Sequence, residues 1–211
     1  MHDITKLQQL TDDVAKWSDS QFGANRSPLP MLHHLKSEIV ELIDALYLVH
    51  TNGIELCKYE YADCFMLLLD SARTFNINSN TLVQFVNIEI RNTLNDTLST
   101  TNLQQLSTNI TKWCNAKFDA KGSMFMLHEF KRELIILIDL LNVAQKGCAD
   151  SHIIDCMYKY AYCTSLLIGS ALAFDMTIDT FIDFSYAKLE INKNRSWGKP
   201  DSNGVVEHIR K

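Results

Sequence analysis

One helical pattern occurs twice along this sequence. The stretch LQQL at residues 7–10 recurs at residues 103–106, and Lys16–Trp17 recurs at the same offset as Lys112–Trp113. Later matches keep the same order and join Phe22, Leu32, His33, Cys57, Tyr59, Tyr61 and Cys64 to Phe118, Leu127, His128, Cys156, Tyr158, Tyr160 and Cys163. Collinear matches that include Trp, Cys and Tyr indicate an internal duplication. The pattern divides the chain into two copies, residues 1–99 and 100–211.

Each copy has the apolar spacing of four helices. In the first copy, Ile4, Leu7, Leu10, Val14 and Trp17 recur every three or four residues, which is typical of one buried helix face. Only 7 Gly and 3 Pro interrupt the chain, which favours long helices. The sequence therefore predicts an all-α protein of two tandem four-helix units. The four predicted helices of the first copy lie at about residues 4–21, 30–50, 54–75 and 79–98.

Charge and composition limit the classes of partner and location. A formal net charge of -5 argues against general nucleic-acid binding, which needs a basic surface. The N-terminal stretch lacks the basic start of a signal peptide, and no apolar stretch reaches the roughly 18 residues of a membrane span. We therefore expect a cytoplasmic protein that does not bind membranes. We also expect no CxxC-type metal site but buried free thiols at Cys57, Cys64, Cys114, Cys148, Cys156 and Cys163.

Four acids in the first copy form two pairs with helical spacing. Glu38 and Glu41 lie three residues apart on the second predicted helix, and Glu60 and Asp63 do so on the third. Both pairs are flanked by apolar positions that must face the interior, so the four carboxylates are expected to converge and to need a cation. Oxygen ligands without His or Cys suit Mg²⁺ or Mn²⁺. Two solvated helix faces are the alternative that spacing alone leaves open.

These motifs resemble those of a known family. ExxE at residues 38–41 and ExxD at residues 60–63 are similar to the hallmark of the all-α, MazG-like nucleoside triphosphate pyrophosphohydrolases. Residues 188–208, KLEINKNRSWGKPDSNGVVEH, resemble the dATP/dGTP pyrophosphohydrolase branch, which includes phage MazZ enzymes. The resemblance implies Mg²⁺-dependent hydrolysis of a deoxynucleoside triphosphate to the monophosphate and pyrophosphate, with the four acids holding the metal. It also implies that Lys188 and Arg195 meet the β and γ phosphates, Asn192 the sugar or phosphate, and that Trp197 anchors the tail.

The two copies depart from this family pattern in complementary ways. The second copy retains Glu38 as Glu133, but the other three acids are replaced by Ile136, Lys159 and Tyr162. The first copy replaces the residues at 188, 192, 195 and 197 with Glu89, Thr93, Asp96 and Leu98. Single-copy members of the family assemble as dimers or higher oligomers. We therefore predict an intramolecular pseudo-dimer with one composite site, in which changing Lys159 to Ala leaves turnover nearly intact; two such chains are expected to be able to pair further.

The first loop carries candidates for base recognition. Trp17, Phe22, Arg26, His33 and His34 cluster around it and the start of the second helix. Trp17 fits either the apolar core or the substrate site, and His34, which has no counterpart in the second copy, is the better site candidate of the two histidines. Two other functions stay open: a pyrimidine-specific relative such as a dUTPase or dCTPase, and a catalytically inactive helical regulatory or binding protein.

Overall fold

A computed structural model describes residues 4–97, 99–119, 121–146 and 150–209, and these residues form helices and no strand. The all-α prediction is thereby confirmed for this part of the chain. Cys148 and Leu98 lie outside the described residues. The helices are α1 (Thr5–Phe22), α2 (Leu29–Tyr47), α3 (Val49–Asn52), α4 (Ile54–Thr74), α5 (Ser79–Leu94), α6 (Leu103–Phe118), α7 (Ser123–Ala144), α8 (Asp150–Ala173) and α9 (Ile178–Lys193).

Two helices of the first half end earlier than the sequence predicts. The second helix stops at Tyr47 because Leu48 leaves helical geometry, and the short α3 continues the chain to Gly53, whose φ of 84° ends it. The helix expected to run to residue 98 stops at Leu94, because Asn95 adopts a left-handed conformation with φ of 50°. Asn tolerates this conformation better than most residues and often ends a helix.

The long helices α4 and α8 form the centre of the molecule. In α4, Tyr61, Phe65 and Leu68 are fully buried, and Tyr160 and Leu166 are equally buried in α8. Since α4 is apolar around most of its circumference, neighbours must cover it on several sides. Helices α1, α2 and α9 all pack against it.

The two halves exchange their last helices. Helix α9 packs on α4 of the first half, α5 packs on α8 of the second half, and α2 lies against α7. Two buried hydrogen bonds repeat this reciprocity: the Tyr61 hydroxyl bonds the Ser170 hydroxyl at 2.7 Å, and the Tyr160 hydroxyl bonds the Ser71 hydroxyl at 2.7 Å. These contacts join positions that correspond under the proposed repeat, which supports the proposed pseudo-dimer.

The thiols agree with the sequence prediction wherever the structure describes them. The five described cysteines are buried and free, namely Cys57, Cys64, Cys114, Cys156 and Cys163. Within the described ranges, no single helix is long and apolar enough to cross a membrane. The helices at residues 151–173 and 178–193 reach the length and apolar composition of a span only when they are counted together, and they meet at a bend of 105°.

Candidate active site

A cavity of about 380 Å³ lies between α1, α2, α4, α9 and the C-terminal tail. Its walls include side chains from both halves of the chain. All ten site residues predicted from the sequence line it, namely Trp17, His34, Glu38, Glu41, Glu60, Asp63, Lys188, Asn192, Arg195 and Trp197. His33, the neighbouring histidine on α2, does not line the cavity.

Three of the four predicted acids form one cluster at the cavity wall. Glu38 on α2 and Glu60 and Asp63 on α4 can each offer an oxygen, and these oxygens lie within 4.8 Å of one another. Glu60 and Asp63 are each only 9% exposed. Glu41, one turn beyond Glu38, lines the same cavity but is exposed at its rim. The structure thus places three carboxylates together and the fourth beside them.

Helix α9 brings the nearest cation to this cluster. Lys188 is buried, and its Nζ lies 2.5 Å from Oδ2 of Asp63. Asn192, one turn further along α9, is also buried and its side chain hydrogen-bonds Asp63. Because α9 packs directly on α4, Lys188 and Asn192, which lie one turn apart on α9, both face the turn of α4 that carries Asp63.

Burial dominates the proton affinity of the two α4 acids. It raises the pKa of Glu60 to about 7, with Lys188 opposing the rise and Asp63, Glu38 and Glu41 adding to it. Burial likewise raises the pKa of Asp63 to about 6 against the effect of Lys188. Neighbouring carboxylates that hold protons near neutral pH form a site at which a cation can displace those protons.

His34 connects α2 to the tail. Its Nε2 lies 2.9 Å from Oε1 of Glu38 and 3.5 Å from Oε1 of Glu207. Burial lowers the pKa of His34, but the interactions with Glu38, Glu207 and Asp63 together outweigh burial, so the pKa lies above its ordinary value. His34 therefore contacts both Glu38 of the cluster and Glu207 of the tail.

Three aromatic rings form the apolar wall of the cavity. The centroids of Trp17, Phe22 and Trp197 lie between 5.2 and 5.7 Å from one another in edge-on or tilted contacts. Trp17 is partly exposed to the cavity, whereas its counterpart Trp113 is completely buried and donates a hydrogen bond to Thr93. The two tryptophans at corresponding positions thus have different surroundings.

The C-terminal tail forms one side of the cavity. Trp197 pairs with His208 in an isolated antiparallel bridge, and its indole N–H donates to the Asn192 carbonyl at 3.2 Å. Arg195 Nη1 donates to the Asn192 side-chain oxygen at 3.0 Å. These bonds hold the tail against the end of α9, with Arg195 beside the cavity.

Sequence reasoning missed Asp70, a buried acid in the same cavity. It lies seven residues after Asp63, hence on the same face of α4, and that spacing was the available signal. Arg26 and Arg73 both contact its carboxylate. Asp19 on α1 binds the same two arginines but does not line the cavity.

The corresponding positions in the second half hold ion pairs. Glu133, the counterpart of Glu38, is bound by Lys159 Nζ at 2.5 Å and Arg132 Nη2 at 2.6 Å. Lys117 bonds Glu89 at 2.8 Å and lies 4.3 Å above the Tyr162 ring. Lys159 supplies positive charge at the position that corresponds to Glu60, and Lys117 adds a second positive charge nearby.

Comparison with protein families identifies the first half of the chain. Residues 10–102 match the family model described as dATP/dGTP pyrophosphohydrolase. The N-terminal half of the chain belongs to the dATP/dGTP pyrophosphohydrolase family. Membership in this MazG-like family implies nucleoside triphosphate diphosphatase activity, and the family's enzymes use divalent metals. The match contains all four predicted acids and ends in the connector at residues 99–102, where the proposed second copy begins. Neither the curated proteins nor the solved structures gave a match.

Proposed function

We propose that this chain is a Mg²⁺-dependent pyrophosphohydrolase that converts dATP or dGTP to the monophosphate and pyrophosphate at one composite site. One observation carries the proposal: a single cavity contains the buried carboxylates of the first half and the Lys188, Asn192 and Arg195 side chains of the second. A triphosphate with its metal needs both kinds of group. In this cavity the four acids come from the first half, and Lys188, Asn192 and Arg195 come from the second.

The carboxylate cluster fits a hard divalent cation. Glu38, Glu60 and Asp63 offer oxygens close enough to share one ion, and no His or Cys belongs to the group. Such an all-oxygen set favours Mg²⁺ or Mn²⁺ over zinc. When bound, the ion supplies charge neutralisation at the phosphates and lowers the pKa of a coordinated water. Glu41 at the rim is the fourth acid of the proposed set.

The cationic groups suit the phosphate chain. Lys188 is a compact point charge beside the acids, and Arg195 offers a planar set of donors at the start of the tail. Asn192 lies between them and adds an amide group. In the proposed reaction, water bonds to the α-phosphorus and releases a proton to solvent, the bond from the α-phosphorus to the α–β bridging oxygen breaks, and pyrophosphate leaves with that oxygen. The cations stabilise the charge on the departing group.

A substrate panel with a matched pair of variants tests the proposal. Pyrophosphate release is measured for all common dNTPs and NTPs with and without Mg²⁺, on the wild-type chain, Glu38→Gln and Glu133→Gln. We expect release from dATP and dGTP only with Mg²⁺. Glu38→Gln should lower kcat/KM by about 100-fold or more, because losing even an outer partner of a metal site costs about 10- to 100-fold.

Glu133→Gln makes the same change at the corresponding position of the second half, outside the cavity. It should leave kcat/KM close to the wild-type value. Absence of turnover with every nucleotide would instead favour the binding or regulatory alternative, and preferred release from dUTP or dCTP would favour a pyrimidine-specific enzyme.

A further inference from the structure

Asp70 and Arg26 lie along the cavity from the metal-binding cluster. Asp70 follows Asp63 by seven residues on α4, which places it about 10 Å further along the helix axis on the same face. Its side chain is only 6% exposed, yet it lines the cavity, as does Arg26 from the loop between α1 and α2. A buried carboxylate is costly unless a charge partner and hydrogen-bond donors satisfy its oxygens.

The bonds of Asp70 leave one oxygen partly free. Its Oδ1 accepts from Arg26 Nη2 and from both Nε and Nη2 of Arg73. Its Oδ2 accepts from Arg26 Nη2 alone among the described residues, at 3.1 Å. Because each carboxylate oxygen accepts about two hydrogen bonds, Oδ2 retains capacity for one more.

The bonds of Arg26 leave one nitrogen weakly occupied. Its Nε donates to the Gly23 carbonyl at 2.8 Å, and its Nη2 donates to Ser18, Asp19 and Asp70. Its Nη1 reaches only the Met31 sulfur within the described part of the chain, at 3.6 Å. A thioether is a weak acceptor, so Nη1 keeps donor capacity for a ligand.

The surrounding wall suits a flat ring. Trp17, Phe22 and Trp197 line the cavity on the side of α1 and the tail, and Met31 and Met66 add apolar surface from α2 and α4. A nucleobase can stack on such rings while its edge reaches polar groups, as bases do in many nucleotide sites. This wall is mostly apolar and carries the acid Asp70, so it suits a base better than a phosphate.

We propose that Asp70 and Arg26 read the edge of the base, with Asp70 Oδ2 accepting a base N–H and Arg26 Nη1 donating to the adjacent base acceptor. Adenine offers its 6-amino group beside a ring nitrogen, and guanine offers its N1–H beside O6. This inference rests on the proposed function and names the residues that select among its substrates. Arg73 adds two hydrogen bonds to Oδ1 of Asp70, and neither Arg73 nor Asp19 lines the cavity.

A substrate that lacks the base donor tests this assignment. The triphosphate of unsubstituted purine 2′-deoxyriboside differs from dATP only by the missing amino group. We expect wild-type kcat/KM to favour dATP by about 10- to 100-fold, the value of one hydrogen bond to a charged group. In Asp70→Ala the dATP preference should fall close to one, and in Asp70→Asn, which keeps the side-chain volume, it should fall partway.

Asp19→Ala is the matched control, because Asp19 binds the same two arginines outside the cavity. It should keep the wild-type preference. An unchanged preference in both Asp70 variants would overturn the assignment, as would an equal loss in Asp19→Ala. Because dATP turnover by the wild-type chain is measured in the same assay, failure of the proposed function is distinguished from failure of this inference.

Discussion

The carboxylate cluster is a site where burial and charge repulsion act together. Glu60 and Asp63 are buried beside the half-buried Glu38, and Lys188 supplies the cation in direct contact with Asp63. One ammonium group cannot neutralise three carboxylates, so the metal-free protein holds protons there at pH values at which free acids are ionised. Each bound metal must displace those protons.

The first prediction concerns stability against pH. The pKa of Glu60 rises from 4.5 to about 7 on folding. Folded and unfolded chains both carry this proton below pH 4.5, but only the folded chain keeps it between 4.5 and 7. The Glu60 contribution to stability therefore falls as pH rises through that window and is constant above it. Chemical denaturation in EDTA should show a wild-type free energy of unfolding that declines relative to Glu60→Gln between pH 4.5 and 7. A difference that does not change with pH would contradict the raised pKa.

The second prediction concerns Lys188, which contacts the acid that is expected to bind metal. Replacing Lys188 with Met removes a competing cation from the cluster and a positive charge from the phosphate site. Mg²⁺ should bind more tightly while the KM for dATP rises, so the two constants should move in opposite directions. Calorimetric titration gives the Mg²⁺ affinity and steady-state kinetics give KM.

Lys159→Met is the control for this variant, because Lys159 also binds a buried carboxylate, Glu133, but lies outside the cavity. Both constants should stay at their wild-type values in this control. Weaker Mg²⁺ binding in Lys188→Met would mean that Lys188 supports the metal site instead of competing with it.

At the scale of elements, α4 and α9 determine the geometry of the site. Helical periodicity predicted most of α4 and the acids on it, because spacing determines which residues share a face. It could not predict that Glu41 would be exposed at the rim, since residues three apart diverge around the helix and the neighbouring helix decides which is covered. Asp70 was missed because its burial depends on two arginines that contact it. Arg73 lies three residues further along α4, but Arg26 reaches Asp70 from the loop before α2, which sequence spacing does not indicate.

The third prediction concerns the tail that closes one side of the cavity. Gly204 has a φ of 78°, and a Cβ there would lie 2.9 Å from Cγ of Pro30 at the start of α2. Gly204→Ala should shift the tail away from α2 and raise the KM for dATP severalfold. Gly53→Ala carries similar backbone strain with φ of 84°, but a Cβ there meets nothing within 4 Å. It should lose stability without a change in KM, and equal KM values for the two variants would contradict a role of the tail in substrate binding.

At the scale of the whole molecule, the two halves differ in charge at corresponding positions. The first half contributes acids to the cavity, and the second contributes Lys188 and Arg195. The sequence predicts an internal repeat and a complementary loss of motif residues, and both stay predictions. The exchange of α5 and α9 between the halves could not be predicted, because the spacing of apolar residues does not determine which helix packs on which. That exchange brings the two sets of residues into one cavity.

The proposed enzyme has one active site per chain, built from both halves. Calorimetric titration with a dATP analogue that cannot be cleaved between the α and β phosphates, in the presence of Mg²⁺, measures it directly. We expect one analogue bound per chain, with binding lost both in Glu38→Gln and in Arg195→Ala. Two analogues bound per chain, or binding that survives either substitution unchanged, would contradict it.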